Sequence, residues 1–102
     1  MVVEFSVIPI GSGTSISADV AEAIKIVAES GIKYKVTPMS TIMEGSWEEI
    51  MEVIRKCHEA LLKRSGRVMT RISIDDRVGS SGNRMNEKIE SIEKRLNIKI
   101  NN

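Results

Sequence analysis

The densest run of residues able to do chemistry is 34–47, YKVTPMSTIMEGSW. Ser40, Ile42 and Glu44 share one face of an extended segment, and Thr41 points the other way. With Thr37, this stretch can turn two hydroxyls and a carboxylate toward one cleft. Such groups suit the donor and acceptor edge of a polar heterocycle. The competing reading is a bulged turn around Pro38 that satisfies its own hydroxyls. A second set lies at 71–75, where Arg71, Ser73 and Asp75 alternate onto one face. Asp75 there either faces a ligand beside Arg71 and Ser73 or makes a surface or inter-subunit salt bridge. Asp75 and Asp76 are strand neighbours on opposite faces, so they do not form a paired acid and base.

Other reactive types point to packing. Cys57 and His58 are adjacent on a helix, about 100° apart, and so make no nucleophile–base pair. Cys57 falls on the apolar stripe and is expected buried, with His58 on the helix flank or at an interface. A single Cys and a single His exclude an internal disulfide and a multi-Cys/His metal cage. Residues 11–13 (GSG) lack the full G-x-G-x-x-G pattern, and a strand-to-helix loop with at most weak anion binding is expected. The six methionines are scattered and serve adaptable packing. Trp47 anchors the start of a helix, with stacking on a flat ligand as the alternative.

The elements that must position these groups follow from periodicity. Residues 2–10 alternate with Val3, Phe5 and Val7 on one face, and Ile8 and Ile10 make the end of the other face apolar. Residues 17–30 carry Val20, Ile24, Val27 and Ala28 at helical spacing, with Ser17 as N-cap and Gly31 as stop. Residues 32–37 form an amphipathic strand, and residues 39–44 a second one beyond Pro38. Ser46 to Glu49 matches a capping box, opening a helix that runs to about Arg64, with Gly66 ending it. Residues 67–77 form the most polar strand. Met85, Ile89, Ile92 and Leu96 then repeat along a last helix over 83–96, followed by a weakly patterned tail. The order β-α-β-β-α-β plus a terminal helix predicts an α+β, ferredoxin-like antiparallel sheet with two crossover helices on one face and an extra C-terminal helix.

The chain has 102 residues, a single-domain length, with 41% hydrophobic and 28% charged residues and a net charge of +1. This balance gives no general attraction for nucleic acid. No apolar run is long enough to cross a membrane, and the start of the chain has no basic leader, so a cytoplasmic protein is expected. Only 3% of residues are aromatic, so the core rests on aliphatic side chains. The two crossover helices leave the other sheet face with Ile8, Ile10, Ile42 and Met69 among polar groups. The terminal helix or a second copy of the chain must cover it, and self-association through sheet faces or edges is expected.

The order of elements, with Tyr34–Pro38 (YKVTP), Thr41, Glu44–Gly45, the helix start Glu48–Met51 (EEIM) and Arg71–Asp75 (RISID), resembles the small single-domain members of the YkoF-like thiamine-binding family. The likeness spans nearly the whole chain from the strand at Val2–Ile10. It implies a non-enzymatic binder of thiamine or its hydroxymethylpyrimidine moiety, with no other cofactor, assembled as a homodimer or homotetramer. Larger relatives fuse two copies, so a composite pocket here needs a second subunit.

The ligand set expected on the open face or between subunits is Ser6, Thr37, Ser40, Ile42, Glu44, Arg71, Ser73 and Asp75. Ile8, Ile42 and Met69 would wall the rings, and Glu44 or Asp75 would meet a thiazolium cation. The alternatives are a small oligomeric enzyme with a single base, Asp75 or His58, and a purely structural or interaction module. Turnover lost on substituting either base would favour the first, and a sheet face occluded without a cavity the second.

Overall fold

The computed structural model describes residues 1–11, 17–79 and 82–101. Seven elements follow in the order β1 (Val2–Pro9), α1 (Ser17–Glu29), β2 (Lys33–Val36), β3 (Thr41–Glu44), α2 (Trp47–Ser65), β4 (Val68–Asp75) and α3 (Arg84–Leu96). The four strands form one antiparallel sheet in the order β2-β3-β1-β4. This is the expected ferredoxin-like α+β arrangement with an added C-terminal helix. Most of the 11–15 loop read as a weak anion site lies outside the described residues, as do residues 80–81 of the loop before α3.

Alternation decides which face is buried. Val3, Phe5 and Val7 of β1 and Met43 of β3 point to the helix side. There they pack against Val27 of α1 and the α2 stripe Ile50, Val53, Ile54, Cys57 and Leu61. α2 is well delimited. Ser46 Oγ accepts from Glu49 N (3.2 Å) and donates to Glu49 Oε1 (2.8 Å) at the start. At the end, Gly66 takes φ 78° and its N–H bonds Leu62 O, a left-handed cap that favours glycine. α1 and α2 are pinned by Arg64 on the buried Asp19, at 2.6 Å.

The second strand of the hairpin starts two residues later than the periodicity suggested, at Thr41 instead of residue 39. The reason lies in Thr37. Its Oγ1 accepts from Met39 N (3.2 Å) and Ser40 N (3.0 Å) and donates to Ser40 O (3.0 Å). Its backbone N–H also bonds Ser40 O at 2.8 Å. Pro38, with no N–H to give, occupies this turn. The hairpin therefore closes at the pair Val36↔Thr41.

The sheet edges differ. β2 is four residues long, carries Lys33 and Lys35, and is followed by Pro38. β4 is eight residues long, paired to β1 without a bulge from Val68 to Asp75, and contains no Lys or Pro. Ile72 and Ile74 lie on the helix side by register with Phe5 and Val3, yet they are 38% and 42% exposed. α2 reaches β4 near Thr70, where His58 Nδ1 lies 2.6 Å from Thr70 Oγ1, and leaves those two isoleucines at the rim.

α3 meets the rest of the protein at one end. Glu44 is 4% exposed, and its carboxylate accepts from the N–H groups of Arg84 (2.7 Å) and Met85 (3.1 Å). Only Met85 is buried among the α3 residues. The radius of gyration is 15.1 Å, against about 13 Å for a compact chain near this length, as expected when a helix stands off the body. Ser6, Ile8, Met69, Arg71 and Ser73 on the open face are thus left uncovered by α3, with Ile8 and Met69 exposed.

Candidate functional site

β1 is paired along its whole length to β4, but to β3 only from Val2 to Phe5. Past Phe5 the short hairpin has turned away, and α1 passes over the gap. The result is a cleft of about 320 Å³. Its walls are apolar, from Phe5 and Val7 of β1, Val20 and Ile24 of α1, and Val36 at the hairpin tip. Its polar points are Ser6, Thr37, Ser40 and Thr41. Apolar walls with a few placed hydroxyls are the usual make-up of a small-molecule site.

The hydroxyls differ in what they have left to offer. Thr37 is engaged in holding the turn. Ser40 Oγ donates to Glu4 Oε2 at 2.9 Å. Ser6 is half-buried, and its hydroxyl makes no side-chain hydrogen bond among the described residues. At Ser6, Met39 and Ser40 the cleft meets a second, open groove of about 530 Å³ on the bare sheet face, lined also by Glu4, Arg71 and Ser73.

The eight residues singled out from sequence therefore divide. Ser6, Thr37 and Ser40 come together at the cleft, and Ser6, Ser40, Arg71 and Ser73 line the open groove. Ile42 lies half-buried on the open face, between Lys35 and Glu4 in register. Glu44 is taken up by the start of α3. Asp75 receives Arg84 Nη1 and Nη2 at 3.1 and 3.2 Å, with Lys88 on the same carboxylate. The Arg84 hydrogen bonds, then the Lys88 one, hold the Asp75 carboxyl at about 2. Both acids thus dock α3, and neither lines the cleft or the open groove.

Val20, Ile24 and Val36 line the cleft and Glu4 the groove, and none of them stands out in the sequence as a ligand contact. The signal for Val20 and Ile24 was present as the apolar face of α1, which periodicity assigns to the core. Cys57 sits in the core with its thiol 3.5 Å from Ala23 O, and burial pushes it up to about 11. Among the described residues no group of three His, Cys, Asp or Glu side chains is placed to hold a metal ion, and no helix is long and apolar enough to cross a membrane.

A βαββαβ sheet with one bare face and a small apolar cleft at a hairpin end defines an α+β module suited to a small ligand. Residues 3–93 match the profile of the family described as thiamine-binding protein, and the chain belongs to that family. It is 42% identical over 101 residues to the UPF0045 protein YqgV of Bacillus subtilis, covering 93% of this chain and 96% of that one. Similarity of fold extends to a hypothetical protein of Methanocaldococcus jannaschii (TM-score 0.83, 30% identity, 91% of this chain and 95% of that chain). A Thermotoga maritima structure titled a "putative thiamine biosynthesis/salvage protein" superposes with a TM-score of 0.78 at 26% identity, over 89% of this chain and 96% of the other.

Proposed function

We propose that this protein is a non-enzymatic binder of thiamine or its hydroxymethylpyrimidine moiety, with the pyrimidine seated in the cleft between α1 and the hairpin tip. The observation that carries this reading is an apolar slot beneath α1, opened where β3 leaves β1, with Ser6, Thr37, Ser40 and Thr41 along its margin. Family membership supports the ligand class. Phe5, Val7, Ile24 and Val36 supply flat apolar contact, and the Ser6 and Ser40 hydroxyls meet the polar edge of the ring. Glu4, at the mouth beside Ser40, places a carboxylate where a thiazolium cation would emerge. The protein works as a homodimer or homotetramer in the cytoplasm, where its lone thiol stays reduced.

Isothermal titration with thiamine and with hydroxymethylpyrimidine tests this. The wild type is expected to bind at least one of them and to release it chemically intact by mass spectrometry. Val36→Trp fills the cleft mouth from an edge position that is 48% exposed, and it is expected to abolish binding without unfolding the chain. A wild type silent to both ligands, with no rise in melting temperature at millimolar concentration, would overturn the reading.

The open groove favours a second placement, because it gathers Ser6, Ser40, Arg71 and Ser73. Binding that survives Val36→Trp and is lost in Arg71→Ala would put the ligand there.

A further inference from the structure

The two edges of this sheet are built for different fates. An exposed strand edge is a template for another strand, and proteins guard such edges with lysine, proline, bulges or brevity. β2 has the first, second and last of these guards. β4 is long, unbulged and free of Lys and Pro, its charges are Arg71 and Asp75, of opposite sign and so able to pair with a second copy, and Ile72 and Ile74 stand exposed beside its open edge.

The backbone is set for pairing. Ile10 N donates to Arg67 O at 2.9 Å, so the odd-numbered residues of β4 direct their N–H and C=O groups at β1. Thr70, Ile72 and Ile74 therefore turn theirs outward. Arg71 has no carboxylate within salt-bridge range among the described residues. Four residues on, Asp75 keeps 46% of its side chain exposed even with Arg84 and Lys88 in place.

We propose that two copies of this chain join edge to edge through β4, antiparallel about a two-fold axis at Ser73. This proposal rests on the self-association in the reading above and names the surface that makes it. Two-fold antiparallel pairing that keeps both sets of helices on one side must match residues of equal parity. With the axis at Ser73, Arg71 lies opposite the partner's Asp75 and Ile72 opposite the partner's Ile74, each twice. With the axis at Arg71, the two guanidiniums face each other. With the axis at Ile72, Arg71 meets only a serine and Asp75 a methionine. Charge thus selects the Ser73 register. Arg71–Asp75 and Ser73–Ser73 fall at non-hydrogen-bonded pairs, where side chains approach most closely. The product is one eight-stranded sheet, and the open grooves of the two copies, each lined by Arg71 and Ser73, adjoin across the axis.

The test combines light scattering with a register-specific crosslink. The wild type is expected to be at least dimeric at micromolar concentration. Arg71→Glu alone and Asp75→Arg alone each set like charges against each other at both pairs and should weaken dimerisation by roughly tenfold or more. Mixing the two variants restores opposite charges at both pairs and should recover the dimer, which a merely unfolded variant would not do. Ser73→Cys should form an inter-chain disulfide under mild oxidation, and Met69→Cys, four residues off the axis, should not. Recovery on mixing together with the Ser73→Cys crosslink supports the proposal. A wild-type dimer indifferent to both charge reversals and not crosslinked through Ser73→Cys overturns the β4 edge while leaving self-association standing. A wild type that stays monomeric overturns both.

Discussion

Replacing Glu44 by alanine tests how the terminal helix is held. The carboxylate is buried and accepts two backbone N–H groups, from Arg84 at 2.7 Å and Met85 at 3.1 Å. Those donors are among the N–H groups at the start of α3 that have no partner inside the helix, and the positive end of the helix dipole faces the charge. A hydrogen bond to a charged group contributes about 1.5–3 kcal/mol net, so two contribute about 3 kcal/mol at the low end. Little else buries α3, since Met85 is its one buried residue. The loss should therefore appear as local opening. About 3 kcal/mol is roughly two decades in the opening equilibrium, and amides of residues 84–96 should exchange about 100-fold faster by hydrogen-exchange mass spectrometry. Amides of α1 and α2 should hold their rates, because the core cluster does not include Glu44. Glu44→Gln keeps one acceptor oxygen and should cost about half as much, roughly a decade. Exchange in α3 of Glu44→Ala within about threefold of wild type would refute the argument that this carboxylate docks the helix.

Three further outcomes follow from the same geometry. Asp75 is held below its ordinary 3.8 at about 2, so its contribution to α3 docking is complete above about pH 4 and is lost as pH falls toward 2; an acid titration followed by α3 exchange should show this limb, and Asp75→Asn should flatten it. The Cys57 thiol, raised from 9.0 to about 11, should have ~100-fold less thiolate than an exposed cysteine at pH 8, and labelling by a disulfide reagent should wait on unfolding. Leu61→Ala, at a side chain with 0% exposure closing the C-terminal end of the α2 stripe, should lose about 2–5 kcal/mol in urea denaturation with an unchanged slope.

Most of the architecture was readable because its signals are local. β1 alternates, α2 carries its own cap box and glycine stop, and the element order leaves few topologies. The site was less readable, for reasons that are not local. Periodicity assigned residues 39 and 40 to a strand, whereas the Thr37 hydroxyl wins both of their N–H groups for a turn. That two-residue difference decides where the hairpin ends and hence that a cleft exists at all. Glu44 presents the same pattern to sequence reading whether it faces a ligand or caps a helix forty residues away; only the docking of α3 separates the two. Asp75 was open between ligand and salt bridge, and it pairs with Arg84 and Lys88, which the strand pattern does not foretell.

The early turn at Thr37 also acts as a ruler. Each further pair of residues zipped onto β3 would occupy the side of β1 beyond Phe5, and inserting two such pairs would seal the slot with main chain. Hairpin length in proteins built this way therefore sets room for a guest, and a lineage could trade a receptor for a plain scaffold by growing one loop while every core contact stayed as it is.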